Sequence, residues 1–283
     1  MAAGMEKACS SEPFPLKLMH ATVVVLCRNN PIELEETLNS LKGAIDGLGP
    51  HHQLELLVID GSNSNACRKV YHSIVLFNWN CRFIYRSPNG TYDAMNAALG
   101  EVKGRWIAFM NSGDIYLRGG FASLLLHAES QSVKRGFKHL GAVFGQAWIE
   151  PPRLPLHWLT PNPSLDKIDV WLRHMVPCHQ SMLFQTTFAK LNPYHLRAGS
   201  KADRAVIRAA LASPAEISYL SKPVCVYRLN GQSSRLFDLH SITSPGLAYY
   251  ERLVEILKII ISPFGAVYPF VMWMRSIWFG WIC

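Results

Sequence analysis

The sequence predicts an α/β domain, a doubly wound and mostly parallel sheet, followed by an apolar helical appendage at the C-terminus. Three observations predict it. Continuous apolar runs of strand length alternate with segments of helical period. Polar turns follow several of those runs at what would be their carboxyl ends. The closing run "LVEILKIIISPFGAVYPFVMWMRSIWFGWIC" is far more apolar and aromatic than anything before it.

The elements follow in order. "HATVVVLCRNN" reads as a buried parallel strand over Thr22 to Cys27. "PIELEETLNSLKGAI" reads as a helix, with Pro31 at its first position, acids in its first turn and an apolar face of Ile32, Leu34, Leu38, Leu41 and Ile45. "QLELLVID" is a second strand ending at Asp60, and a helix after the turn "GSNSNA" runs to about Phe77. "CRFIYRS" is a third strand. "TYDAMNAALGEV" is a short helix with Thr91 as N-cap and Tyr92, Met95, Leu99 and Val102 at helical spacing. "RWIAFMN" is a fourth strand, closed by the turn "NSGD". Strands alternating with helices imply right-handed crossovers and ligand binding beyond the carboxyl ends of the strands. Beyond Asp114 the pattern gives a helix near Gly120 to Gln131, a strand "GAVFGQAWI", a Pro-rich loop or hairpin edge, a strand "SMLF", a helix "KADRAVIRAALA" and a closing pair of strands, "EISYLS" and "VCVYRLN".

Composition sets limits on function. With 283 residues, 49% hydrophobic and 17% charged, the chain can bury a sizeable core. A formal net charge of +8 favours anionic partners such as nucleotide phosphates or an acidic membrane surface. Seven scattered cysteines without a CxxC pair support neither a zinc ribbon nor a redox motif, and suit reduced thiols in the cytoplasm. Neither GxGxxG nor GxxxxGK[ST] follows the first strand, which disfavours a dinucleotide site or a P-loop. Residues 1–19 read as a mobile tail, residues 20–235 as the α/β domain and residues 236–283 as the apolar helical region. Pro263 and Pro269 interrupt that region, while Trp273, Trp278, Trp281 and Arg275 suit a helix lying in a membrane interface. A terminal helix packed on the domain or on a partner is the alternative.

"TVVVLCRNNPIELEETLNSL", "LELLVIDGSNSNA", "SPNGTYDAMNAALGEVKGRWIAFMNSGD", "HQSMLF" and "KADRAVIRAAL" occur in that order. Together they resemble inverting family 2 glycosyltransferases with a GT-A fold. The "YDAMN" and "NSGD" pair looks most like the exopolysaccharide, colanic-acid-type branch. The resemblance implies a UDP- or GDP-linked sugar donor, a glycan or lipid-linked acceptor, and Mg²⁺ or Mn²⁺. It implies no nucleic-acid partner, and it fits peripheral association with the cytoplasmic face of a membrane. It assigns Asp114 to the metal and Asp203 to the acceptor proton. Asn29, Asp60, Asp93, Asn96 and Asn111 fall to the nucleotide sugar, His179 and Gln180 to the acceptor side.

The chemistry of these residues agrees with those roles. A departing diphosphate needs a hard cation on oxygen ligands, and a sugar hydroxyl needs a carboxylate to take its proton. The chain departs from the family pattern at Asn65, Gly113, Asn111 and Ala202, where acids often stand. Those departures keep a non-catalytic scaffold of the same fold open as an alternative. A nucleotidyltransferase is a further one, against which the single Arg28 after the first strand argues.

Overall fold

The structure is a computed structural model that describes residues 19–74, 79–136, 139–151, 157–162, 167–212 and 216–229, with six isolated helical positions between Tyr249 and Met274. In chain order the elements are β1 (Ala21–Cys27), α1 (Pro31–Ala44), β2 (Leu54–Asp60), α2 (Ala66–Ser73), β3 (Trp79–Tyr85), α3 (Thr91–Glu101), β4 (Trp106–Asn111), β5 (Ile115–Tyr116), α4 (Gly120–Arg135), β6 (Leu140–Glu150), β7 (Trp158–Thr160), α5 (Ile168–His174), β8 (Met182–Gln185), α6 (Thr186–Leu191), α7 (Ala202–Ala212) and β9 (Glu216–Arg228).

One sheet runs β3-β2-β1-β4-β8-β6-β9-β5, with β7 added to β6. Its first four strands are parallel. The second half is mixed, because β8 is antiparallel to both β4 and β6 while β9 runs parallel to β6. Every residue of β1 and β2 is buried. Alternate residues serve two cores: Val23, Val25, Leu56 and Val58 face α1 and α4, whereas Val24, Leu26, Leu57 and Ile59 face α3. A strand covered on both faces favours apolar side chains throughout, hence the long apolar runs; the buried exceptions inside them, Thr22 and Glu55, are bonded to each other. Parallel register pairs Cys27 with Asp60, Leu26 with Asn111 and Asp60 with Tyr85, so four carboxyl ends stop within one residue of the same level and form a common rim.

Some local readings change. In α1, Leu34, Leu38 and Leu41 are buried but Ile32 is 71% exposed, because it shares the solvent side of the helix with Glu35, Glu36 and Asn39. α3 begins at Thr91 itself, and its N-cap is Gly90 at φ 96°, a left-handed conformation that glycine adopts without strain. The two closing strands are one, β9, thirteen residues long. Pro223, between the two expected runs, sits beside a register shift opposite Gln146 and Ala147, where a strand tolerates a residue without an N–H. Trp158 and Trp171 are buried.

α4 starts hard against β9. A Cβ on Gly120 would lie 2.1 Å from the Val224 carbonyl oxygen and 2.9 Å from its carbon. Backbone cannot swing aside as a side chain can. Gly120→Ala is therefore expected to destabilise the fold by about 3 kcal/mol, the upper end of overpacking costs, measured by urea unfolding.

The membrane-facing reading of residues 236–283 lies largely outside the described residues. Among the described residues no helix is long and apolar enough to cross a membrane. Trp273, at a helical position, packs partly buried against the core on the α1 and α4 side.

Candidate functional site

The loops after β1, β2 and β4 are laced together at the rim. The Asn29 N–H donates to Ser62 Oγ at 2.7 Å, and the Asn63 N–H donates to Asn29 Oδ1 at 2.9 Å. Asn29 holds φ 55°, a left-handed conformation that asparagine tolerates better than most residues. Asn30 Nδ2 donates to Ser112 Oγ, which joins this pair of loops to the β4 turn. Asp60 ends β2 only 2% exposed, and its Oδ1 accepts the Ser62 N–H at 2.9 Å and the Cys27 thiol at 3.4 Å. A cavity of about 620 Å³ opens beside it between α2 and β3, lined by Asp60, Ser62, Asn65, Arg68, Tyr71 and Tyr85 among others. That volume suits a nucleoside-sized ligand.

Asp114 stands at the end of the β4 turn but is enclosed, at 3% exposed. Its Oδ1 accepts the Arg228 N–H of β9 at 3.0 Å, and Asn111 and Gln180 also donate to the carboxylate. All of these donors are neutral. The Arg228 guanidinium is turned away to Glu36 and Glu150, so it does not offer its charge to a ligand's diphosphate. Glu55, fully buried at the opposite end of the sheet, shows the contrast: Arg82 Nη1 meets it at 3.0 Å. Burial without a cation lifts the Asp114 carboxyl to about 7. A carboxylate in that state fits a divalent cation, which would supply the missing counter-charge through hard oxygen ligation. A cation reaching it must displace at least one of the three donors.

Asp203 opens α7 and forms a second cluster. The Tyr92 hydroxyl donates to its side chain. His179 and Tyr194 lie close enough to feel its charge. His179 Nε2 meets Tyr194 Oη at 2.7 Å. Burial pushes the His179 imidazole down and holds it neutral, while Asp203 opposes that shift. Asn96 spends both halves of its amide on the Tyr194 backbone, each bond 2.8 Å, and so anchors this loop to α3.

His179 and Gln180 join the two clusters, since His179 faces Tyr194 and Asp203 while Gln180 reaches Asp114. A further path leads back to the cleft: the Arg86 N–H donates to the Asp60 carbonyl, Arg86 Nε pairs with Asp93 at 3.0 Å, and Asp93 adjoins Tyr92. Arg86 is therefore engaged with Asp93, whose side chain is 16% exposed. Sequence reasoning did not single out Tyr92 or Tyr194 for the site. "YDAM" offered Tyr92 only as an apolar helix position, and "NPYHL" carries no signal for Tyr194.

Tyr92→Phe keeps the ring and deletes the bond to Asp203. On the sugar transfer that the sequence resemblance implies, it is expected to lower turnover about tenfold, the scale of one lost charge-assisted hydrogen bond. The KM for donor should stay unchanged; steady-state kinetics at saturating donor checks this.

Over residues 22–188 the chain matches the family described as glycosyl transferase family 2. No curated protein matches it. Among solved structures it is similar to TarS of S. aureus, residues 1–349, at 18% identity and TM-score 0.55, covering 86% of this chain and 72% of that one. The same TarS fragment in complex with UDP-GlcNAc gives 17% identity and TM-score 0.54, covering 86% and 73%. It is also similar to the mannosyltransferase PcManGT from Pyrobaculum calidifontis in complex with GDP-Man and Mn²⁺, at 15% identity and TM-score 0.56, covering 84% of this chain and 65% of that one. At these identities the likeness is one of fold.

Proposed function

The chain belongs to glycosyl transferase family 2, and on that premise we propose that it moves one sugar from a UDP- or GDP-linked donor to a hydroxyl of a glycan or lipid-linked acceptor, with inversion at the anomeric carbon. The observation that carries this reading is the pair of carboxylates, Asp114 and Asp203, joined through His179 and Gln180 beyond the ends of the sheet. The ligands of the neighbouring structures, UDP-GlcNAc in TarS and GDP-Man with Mn²⁺ in PcManGT, support the donor class and a divalent ion.

Each residue then has a task. Asp60, with Asn29 holding its loop, takes the nucleoside in the cleft beside α2. Asp93 fixes Arg86 at the donor side, and Asn96 keeps Tyr194 in place. Asp114, near Asn111, would hold Mg²⁺ or Mn²⁺, which when bound neutralises the charge that develops on the departing diphosphate. Asp203 accepts the proton of the acceptor hydroxyl, oriented by the Tyr92 hydroxyl. Neutral His179 and Gln180 shape the acceptor side. Work on an exopolysaccharide of the colanic-acid type, at the cytoplasmic face of a membrane contacted by the Trp-rich C-terminal run, completes the proposal. The motif pair "YDAMN" and "NSGD" and the composition of that run support it.

A second reading is favoured by one specific observation: Asp114 is enclosed by neutral donors, in a chain whose acids are already thinned at Asn65, Gly113 and Ala202. It is a non-catalytic sugar-nucleotide-binding scaffold. A panel of UDP- and GDP-sugars with Mn²⁺ in a thermal-unfolding assay tests the proposal. A matching donor at 100 times its dissociation constant should add about 2.7 kcal/mol of stability and release nucleoside diphosphate over time. Stabilisation without release would favour the scaffold; no stabilisation by any donor overturns the proposal.

A further inference from the structure

The geometry points to a binding site for a thiophilic divalent cation, of which Zn²⁺ is the natural member, formed by Cys27, Asp60 and Cys67 at the floor of the nucleoside cleft. The parallel register sets Cys27 of β1 directly beside Asp60 of β2, and the first turn of α2 brings Cys67 over them. One ligand atom from each residue lies within 4.8 Å of the other two, close to the spacing of ligands around a tetrahedral ion. Cys27 Sγ is 3.4 Å from Asp60 Oδ1, and Ser62 Oγ is 3.3 Å from Cys67 Sγ. All three residues are buried on regular elements, so the set is held in place before any ion arrives. Asp60 and Ser62 also line the 620 Å³ cavity, which gives the way in.

Two sulfurs and one carboxylate select Zn²⁺ over Mg²⁺ or Mn²⁺, and so differ in kind from the oxygen ligands at Asp114. Burial beside Asp60 holds the Cys27 thiol well above its ordinary range, and zinc takes cysteine as the thiolate. Binding therefore exchanges protons for metal: two S–H bonds break, two Zn–S bonds form and two protons leave to solvent, with no change of oxidation state. The bound ion occupies Asp60, which the sugar-transfer reading assigns to the nucleoside; on that reading zinc and nucleotide exclude each other.

The test uses the full reduced chain and Co²⁺ as a spectroscopic probe. One equivalent of Co²⁺ should give a thiolate-to-cobalt charge-transfer band with tetrahedral d–d absorption, and Zn²⁺ should bleach both. Cys67→Ser, Cys67→Ala and Cys27→Ser should abolish the band, while Cys178→Ser retains it. Ions held only by histidines, such as the neighbouring rings of His20, His51 and His52, give no thiolate band. Absence of the band in folded wild type overturns the site, and this arm does not depend on any variant folding. A band that survives in folded Cys67→Ser overturns it equally. Zinc-loaded chain, freed of excess metal by gel filtration, should bind UDP or GDP at least about tenfold more weakly than metal-free chain, as competition for one carboxylate requires. Equal binding overturns the exclusion. If the metal-free chain binds neither nucleotide, the sugar-transfer reading fails instead, and the cobalt spectrum still decides the metal site.

Discussion

Asp203→Asn is expected to lower kcat for sugar transfer by 10²–10⁴-fold, the scale set by loss of a positioned general base, while leaving donor binding intact. Asparagine fills the same volume and can still bond the Tyr92 hydroxyl that now meets Asp203, but it cannot take a proton from the acceptor. The residue lies in the first turn of α7, away from the Asp60 cleft. Donor affinity measured by calorimetry should therefore match wild type. Turnover that survives the substitution would move the proton acceptor elsewhere. Neutral, buried His179 is the nearest alternative, and the double variant with His179→Gln would then lose what the single variant kept.

Asp114→Asn is expected to abolish the part of nucleoside-diphosphate binding that depends on Mn²⁺. In wild type, adding Mn²⁺ should strengthen UDP or GDP binding; in the variant, the affinities with and without the ion should coincide. The pH dependence follows from the same carboxyl. Its pKa is lifted from 3.8 to about 7 by burial. Between those values the folded chain binds a proton that the unfolded chain has released, so this group favours folding at low pH and that advantage is lost as pH rises toward 7. Without metal, Asp114→Asn should gain melting temperature relative to wild type as pH rises through that window. Protons and metal compete for one carboxylate, so Mn²⁺ affinity in wild type should weaken as pH falls below about 7 and leave the variant unmoved. A wild type and variant with parallel melting profiles would show that Asp114 does not titrate in this range.

The centre of the parallel half was legible because β1, β2 and β4 are buried on both faces and so appear as apolar runs, as "ATVVVLC" does. The register of those strands also made the polar turns after Cys27, Asp60 and Asn111 converge, which is why Asn29, Asp60 and Asp114 could be picked out. What closes over Asp114 was not legible. The N–H of Arg228 arrives from 114 positions away, carried by one strand where the sequence pattern predicted a pair. The Tyr194 loop, tied to Asn96 from 98 positions away, was hidden for the same reason. Periodicity reports which face of an element is buried, and says nothing about which distant segment buries it. Ile32 shows the opposite failure, an apolar residue with helical spacing that faces solvent.

The most direct test is an anomalous difference map at the manganese edge, from crystals grown with UDP or GDP and Mn²⁺. The account predicts one peak about 2 Å from an Asp114 carboxylate oxygen, a distance set by hard-cation ligation, with diphosphate oxygens on its far side and the Arg228 N–H, Asn111 or Gln180 displaced. Manganese bound to the nucleotide elsewhere, with Asp114 still closed in by those three donors, would contradict it.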